Sequence, residues 1–214
     1  MAELRYTLLS DGSSDRMLMP LLAWALRERG VEAALTGEWA DLRVLRDPPA
    51  TLEGRIEAAL DLYPCDLLFV HRDAEEATVE DRQDEIGIAL KAAFARMEAK
   101  PAVCVVPRRM AEAWFLIDEG AIRSASGNPR GAIALTLPRV NRLEEVVDPK
   151  ELLYDLLRTA SEHRGRRLRS FPVKRLVHRV AELIEQFATL RALPAFAAFE
   201  DELGAVVGRE GWAE

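Results

Sequence analysis

LLFVHRDAEEA, Leu67 to Ala77, sets the class of fold. Leu67 to Val70 is apolar without alternation, so it reads as a strand buried on both faces. Such strands belong to parallel sheets covered by helices on either side. His71, Asp73, Glu75 and Glu76 follow at once. Carboxylates crowded at a strand exit repel one another and call for a compensating charge. A divalent cation is the obvious candidate.

The same alternation extends in both directions. Arg5 to Ser10 is the expected first strand. Turn residues Asp11-Gly12-Ser13-Ser14 follow, then a helical pattern from Asp15 that stops at Gly30. Val31 to Leu35 is the expected second strand, Thr51 to Leu62 a helix capped by Thr51, and Asp66 to Val70 the third strand. Thr78 to Met97 predicts a helix with Ile86, Ile88, Leu90, Ala93 and Phe94 on its apolar face. Pro101 to Val106 predicts the fourth strand, ended by Pro107-Arg108-Arg109. Met110 to Ile117 begins another helix. Strands alternating with helices predict an α/β fold: a four-stranded, mainly parallel sheet flanked by helices. The remainder predicts a loop and then helices over 149–160, 172–189 and 194–207. The expected organisation is an α/β domain over 1–120 and a helical C-terminal appendage over 121–214.

A net charge of -7 over 214 residues argues against a protein that coats nucleic acid by bulk electrostatics. A local basic patch is still compatible with it. His163 to Arg179 holds Arg164, Arg166, Arg167, Arg169, Lys174 and Arg175 with no acidic residue. Two readings stay open for it: a phosphate-backbone track on which Phe171 stacks a base, or a solvated loop facing the acidic N-terminal half. Cys65 and Cys104 lie in or beside apolar runs, which suits reduced core thiols of a cytoplasmic protein. The N-terminus has no signal-peptide pattern, and no stretch reaches the roughly 18 apolar residues of a membrane span. The chain has no P-loop and no GxGxxG, so it is not expected to be an ATPase or a dinucleotide enzyme itself.

In open α/β sheets, ligands bind beyond the carboxyl ends of the strands. Asp11 and Asp15 follow the first strand, Asp73 and Glu75 the third, and Arg108, Arg109 and Glu112 the fourth. If the first and third strands are neighbours, Asp11 and Asp73 face each other. Hard carboxylate oxygens suit Mg²⁺ or Mn²⁺, and such ions serve phosphoryl transfer or phosphodiester hydrolysis. On this reading Asp11, Asp15, Asp73 and Glu75 hold the metal. Glu112 is a further ligand or base, and Arg108 and Arg109 clamp the phosphate. The competing reading makes Asp11 and Asp15 helix caps and the glutamates a solvated loop. His71 is either a general base or structural.

Asp11-Gly12, Asp15 and the triplet Asp73-Ala74-Glu75 resemble the Toprim motifs of topoisomerases, primases and OLD-family nucleases. VVPRRMAEAWFLID (Val105 to Asp118), DPKELL (Asp148 to Leu153) and LRALPAFAAFEDEL (Leu190 to Leu203) resemble a small bacterial Toprim-like family. The resemblance implies a Mg²⁺-dependent nuclease acting on DNA or RNA, the effector subunit of a phage-defence system with an ABC-type or AAA ATPase partner. The chain departs from the Toprim pattern by Asp11 in place of Glu and Glu75 in place of Asp. The alternative is therefore a catalytically degenerate Toprim-like subunit that docks on a partner ATPase.

Overall fold

The computed structural model describes residues 2–213. Four strands, β1 (Glu3–Leu9), β2 (Ala34–Trp39), β3 (Leu67–His71) and β4 (Ala102–Val105), form one all-parallel sheet in the order β2-β1-β3-β4. The α-helices are α1 (Met19–Glu28), α2 (Leu52–Leu62), α3 (Val79–Phe94), α4 (Glu119–Ala125), α5 (Pro149–Ser161), α6 (Gly165–Arg169), α7 (Val173–Leu183) and α8 (Pro194–Glu210).

The two-residue period of a strand divides the core into two layers. Leu4, Tyr6 and Leu8 of β1, Leu67 and Phe69 of β3, and Val103 and Val105 of β4 pack with α1, α4, α5, α7 and α8. Leu9, Leu68, Val70 and Cys104 point the other way, onto α2 and α3. Both cysteines are buried and free, as thiols in apolar runs should be.

The helices after residue 120 are not set apart from the sheet. Trp114 is fully buried and meets Phe196 edge-on, with ring centroids 5.1 Å apart, while Phe199 reaches Phe69 of β3. Leu193, Phe196, Phe199 and Leu203 are core residues of the layer that covers one sheet face. No described helix is long and apolar enough to cross a membrane.

Several elements differ from expectation for local reasons. β2 spans Ala34–Trp39, whereas Val31 forms only an isolated bridge to Ala213. β2 is an edge strand exposed along most of its length, so burial leaves no apolar signature on it. Gly37 within it lies under the Tyr6 ring, where an added Cβ would overlap the ring and the Met19 methyl. On α3 the buried residues are Ile86, Ala89 and Ala93, and Ile88 is 69% exposed. The predicted helix over 110–117 is a 3-10 turn, Ala111–Phe115, before α4. α1 is likewise preceded by a 3-10 helix, Ser13–Leu18, and Pro20 in its first turn suits the start of the α-helix. α7 ends at Leu183, and Ile184 is extended.

Candidate functional site

β1 and β3 are adjacent, so their exits share one rim of the sheet. Three acidic side chains meet there from three chain segments. Asp15 sits in the 3-10 helix after β1, Asp73 two residues beyond β3, and Glu112 in the 3-10 turn after β4. A cleft of about 290 Å³ is lined by these residues together with Asp11, His71, Glu75 and Lys150.

Each carboxylate is locally anchored. Asp15 accepts from the Gly12 amide at 2.9 Å and from the Ser14 hydroxyl at 3.1 Å. Asp73 Oδ1 accepts from the Ala111 amide at 2.9 Å, which ties the β3 exit to the turn that carries Glu112. Glu112 is 3% exposed, and its Oε1 lies 3.3 Å from Lys150 Nζ in the first turn of α5.

His71, 2% exposed, lies at the floor. Its Nδ1 is 2.8 Å from the Val105 carbonyl, which can only accept, so Nδ1 carries a hydrogen. Nε2 then faces Asp73 Oδ1 at 3.5 Å and Asp15 Oδ2 at 3.9 Å.

The charges of this group do not cancel. Burial pushes the Asp73 carboxyl up to about 6, and the negative charges of Asp15 and Glu112 add to that; His71 and the Ala111 hydrogen bond pull the other way. Burial works against the Lys150 ammonium, but the charge and hydrogen bond of Glu112 outweigh it and hold its pKa above the usual lysine value.

Asp11 departs from the expected arrangement. It lies on the same rim, but its carboxylate is bound by Arg55 of α2 and by Arg72, whose Nε is 2.8 Å from Oδ2. Arg72 also reaches Glu85, which pairs with Arg82. The strand period accounts for the split. Leu67, Phe69 and His71 face one layer, and Leu68, Val70 and Arg72 face the other, where Leu9 and then Asp11 also point. Asp11 thus serves as counter-ion for two arginines instead of pairing across the rim with Asp73.

Glu75 is exposed and borders the cleft. Its φ of 51° places it in the left-handed region, a strained backbone for a glutamate, while its amide donates to the Arg109 carbonyl. Arg108 donates to the Ala77 carbonyl at 2.8 Å, and Arg109 pairs with Glu76 at 3.6 Å. Both arginines brace the acidic loop, and neither lines the cleft. Arg164, Arg166, Arg167, Arg169, Lys174 and Arg175 are all exposed. α5 separates the first of them from Lys150, a distance of about 20 Å along a 13-residue helix. Lys150 lies within a stretch quoted above for its resemblance, yet nothing in its local sequence signals that it closes the cleft.

Among the described residues, no three His, Cys, Asp or Glu side chains form a ready-made metal-ligand group. The donor chemistry nevertheless fits a hydrated divalent ion. Mg²⁺ commonly takes one or two protein carboxylates and completes its octahedron with water and substrate oxygens. Asp15, Asp73 and Glu112 offer such oxygens on the lining of one cleft. No family model, no curated protein and no solved structure matches the chain.

Proposed function

We propose that the cleft performs divalent-cation-dependent hydrolysis of phosphodiester bonds, as the Toprim resemblance implies, with a ligand set of Asp15, Asp73 and Glu112. The observation that carries this reading is the meeting of three carboxylates from three strand exits on the lining of one cleft, with Asp73 and Asp15 beside the buried His71. A bound Mg²⁺ or Mn²⁺ would supply charge neutralisation at phosphoryl oxygens and an activated water. The chain's own groups have separable roles. Asp73 and Asp15 flank the His71 Nε2 edge at 3.5 and 3.9 Å, and the Val105 carbonyl fixes the ring orientation. Lys150 balances Glu112 and presents its ammonium to the cleft, where an anionic substrate enters. Asp11 holds Arg55 and Arg72 as a rigid flank.

The test is nicking of supercoiled DNA and cleavage of RNA by purified protein in Mg²⁺ or Mn²⁺, with chelator as control. Asp73→Asn should lower the rate at least about 10–100-fold, the loss typical of disturbing even the outer shell of a metal site. Cleavage that survives both chelator and Asp73→Asn would sink the reading. The arginine lock on Asp11 favours a second reading, a Toprim-like subunit that docks on an ATPase and does no chemistry. Absence of cleavage in every metal, with the protein folded, would favour it.

A further inference from the structure

The segment between α5 and α7 carries charge that the chain leaves unanswered. Acidic residues outnumber Lys and Arg by 36 to 29, so carboxylate partners are in surplus. The flanking Arg158 and Arg179 take them, from Glu151 and Asp155 and from Glu182. Arg164, Arg166, Arg167, Arg169, Lys174 and Arg175 are exposed and form no ion pair among the described residues.

The backbone holds this charge out in a defined shape. Glu162 (φ 53°) and Gly165 (φ 57°) adopt left-handed conformations that turn the chain between α5 and α6. The rings of His163 and Phe171 meet edge-on with centroids 5.4 Å apart, closing the segment at both ends of α6. Val173, Val177 and Val180 bury the inner face of α7, which leaves Lys174 and Arg175 outward. α7 packs against the 3-10 helix that carries Asp15, so the basic segment and the acidic cleft are joined through one helix.

We propose that this segment is a docking surface for the phosphate backbone of a nucleic acid, held without base readout. The inference rests on the cleft reading above and deepens it: the phosphodiester is part of a polymer that spans from this surface to the cleft. Five of the six cations are arginines, whose planar forks match phosphate oxygens. A protein partner would need an exposed apolar centre to bury on binding, and residues 163–170 offer only Leu168 for one. A lipid surface would need several large apolar groups, and Leu168 is the one exposed large apolar residue of the segment.

The test is binding of short fluorescent DNA and RNA, single- and double-stranded, in chelator, so that no metal-dependent chemistry enters. Wild type should bind, with affinity falling steeply in salt. Arg166→Gln/Arg167→Gln/Arg169→Gln should weaken binding at least about tenfold at ~0.1 M salt and flatten the log–log salt slope by about 3, near 0.9 per lost phosphate contact. Its melting temperature should change little, because these side chains are exposed and form no ion pair among the described residues. Arg46→Gln/Arg139→Gln/Arg209→Gln, with the same charge change scattered elsewhere on the surface, should bind as wild type does. Asp73→Asn should also bind, which separates this surface from the cleft. Equal loss in the two triple variants, no binding by wild type at low salt, or equally tight binding of polyglutamate would overturn the proposal. Cleavage that fails while this binding holds would sink the chemistry alone.

Discussion

Glu112 Oε1 lies 3.3 Å from Lys150 Nζ, which joins the exit of β4 to the first turn of α5 across one wall of the cleft. Lys150→Met would leave a carboxylate that is 3% exposed without its cation. Breaking a fully buried pair costs about 3–5 kcal/mol. Lys150 is 40% exposed, so solvent screens the pair, and the expected loss is about 1–2 kcal/mol. Glu112→Gln should cost less, since its amide oxygen still accepts from the ammonium. Urea unfolding of both variants checks the order; a larger loss for Glu112→Gln would contradict it.

The elevated pKa of Asp73 makes stability depend on pH. A carboxyl shifted up to about 6 in the folded chain binds its proton more tightly there than in the unfolded chain, where the ordinary value is 3.8. Its contribution is therefore complete below pH ~4 and lost as pH rises through about 6, a change of about 3 kcal/mol at most. In chelator, Asp73→Asn should abolish that slope between about pH 4 and 6. Chemical denaturation across this range measures it. An unchanged slope in the variant would show that other groups are responsible.

Asp11 and Asp15 should behave differently although four residues separate them. Asp11 serves Arg55 and Arg72, whereas Asp15 faces His71. Asp15→Asn should weaken Mn²⁺ binding at least about tenfold, and Asp11→Asn should leave it within about threefold while lowering stability. Calorimetric titration distinguishes the two. The reverse order would restore Asp11 to the ligand set.

Gly37→Ala forces a methyl into the Tyr6 ring and the Met19 side chain. Tyr6 is itself packed edge-on against Phe69 at 5.8 Å, so it has little room to yield. A loss of about 1–3 kcal/mol is expected, the usual range for overpacking. Thermal unfolding checks it, and a neutral result would mean that β2 moves freely at the sheet edge.

The sequence reveals β3 and β4 because burial on both faces leaves apolar runs, and β1 because alternation at Glu3 to Tyr6 gives way to a buried end. β2 is misplaced because an exposed edge strand carries no such pattern. The acidic rim is legible at Asp15, Asp73 and Glu112, since helices and turns after parallel strands begin there. Separating Asp11 from them needed the strand period carried past Leu9 and the positions of Arg55 and Arg72, which lie 44 and 61 residues away. Lys150 reaches the cleft after a stretch between α4 and α5 whose regular structure is the 3-10 helix Val140–Glu145, too short to carry a readable period.

Anomalous scattering from crystals soaked in Mn²⁺ tests the cation site most directly. A peak should stand among Asp15, Asp73 and Glu112, with carboxylate oxygens about 2 Å away, and should vanish in Asp73→Asn. A peak elsewhere on the rim, or none at saturating Mn²⁺, would contradict the site and the chemistry assigned to it.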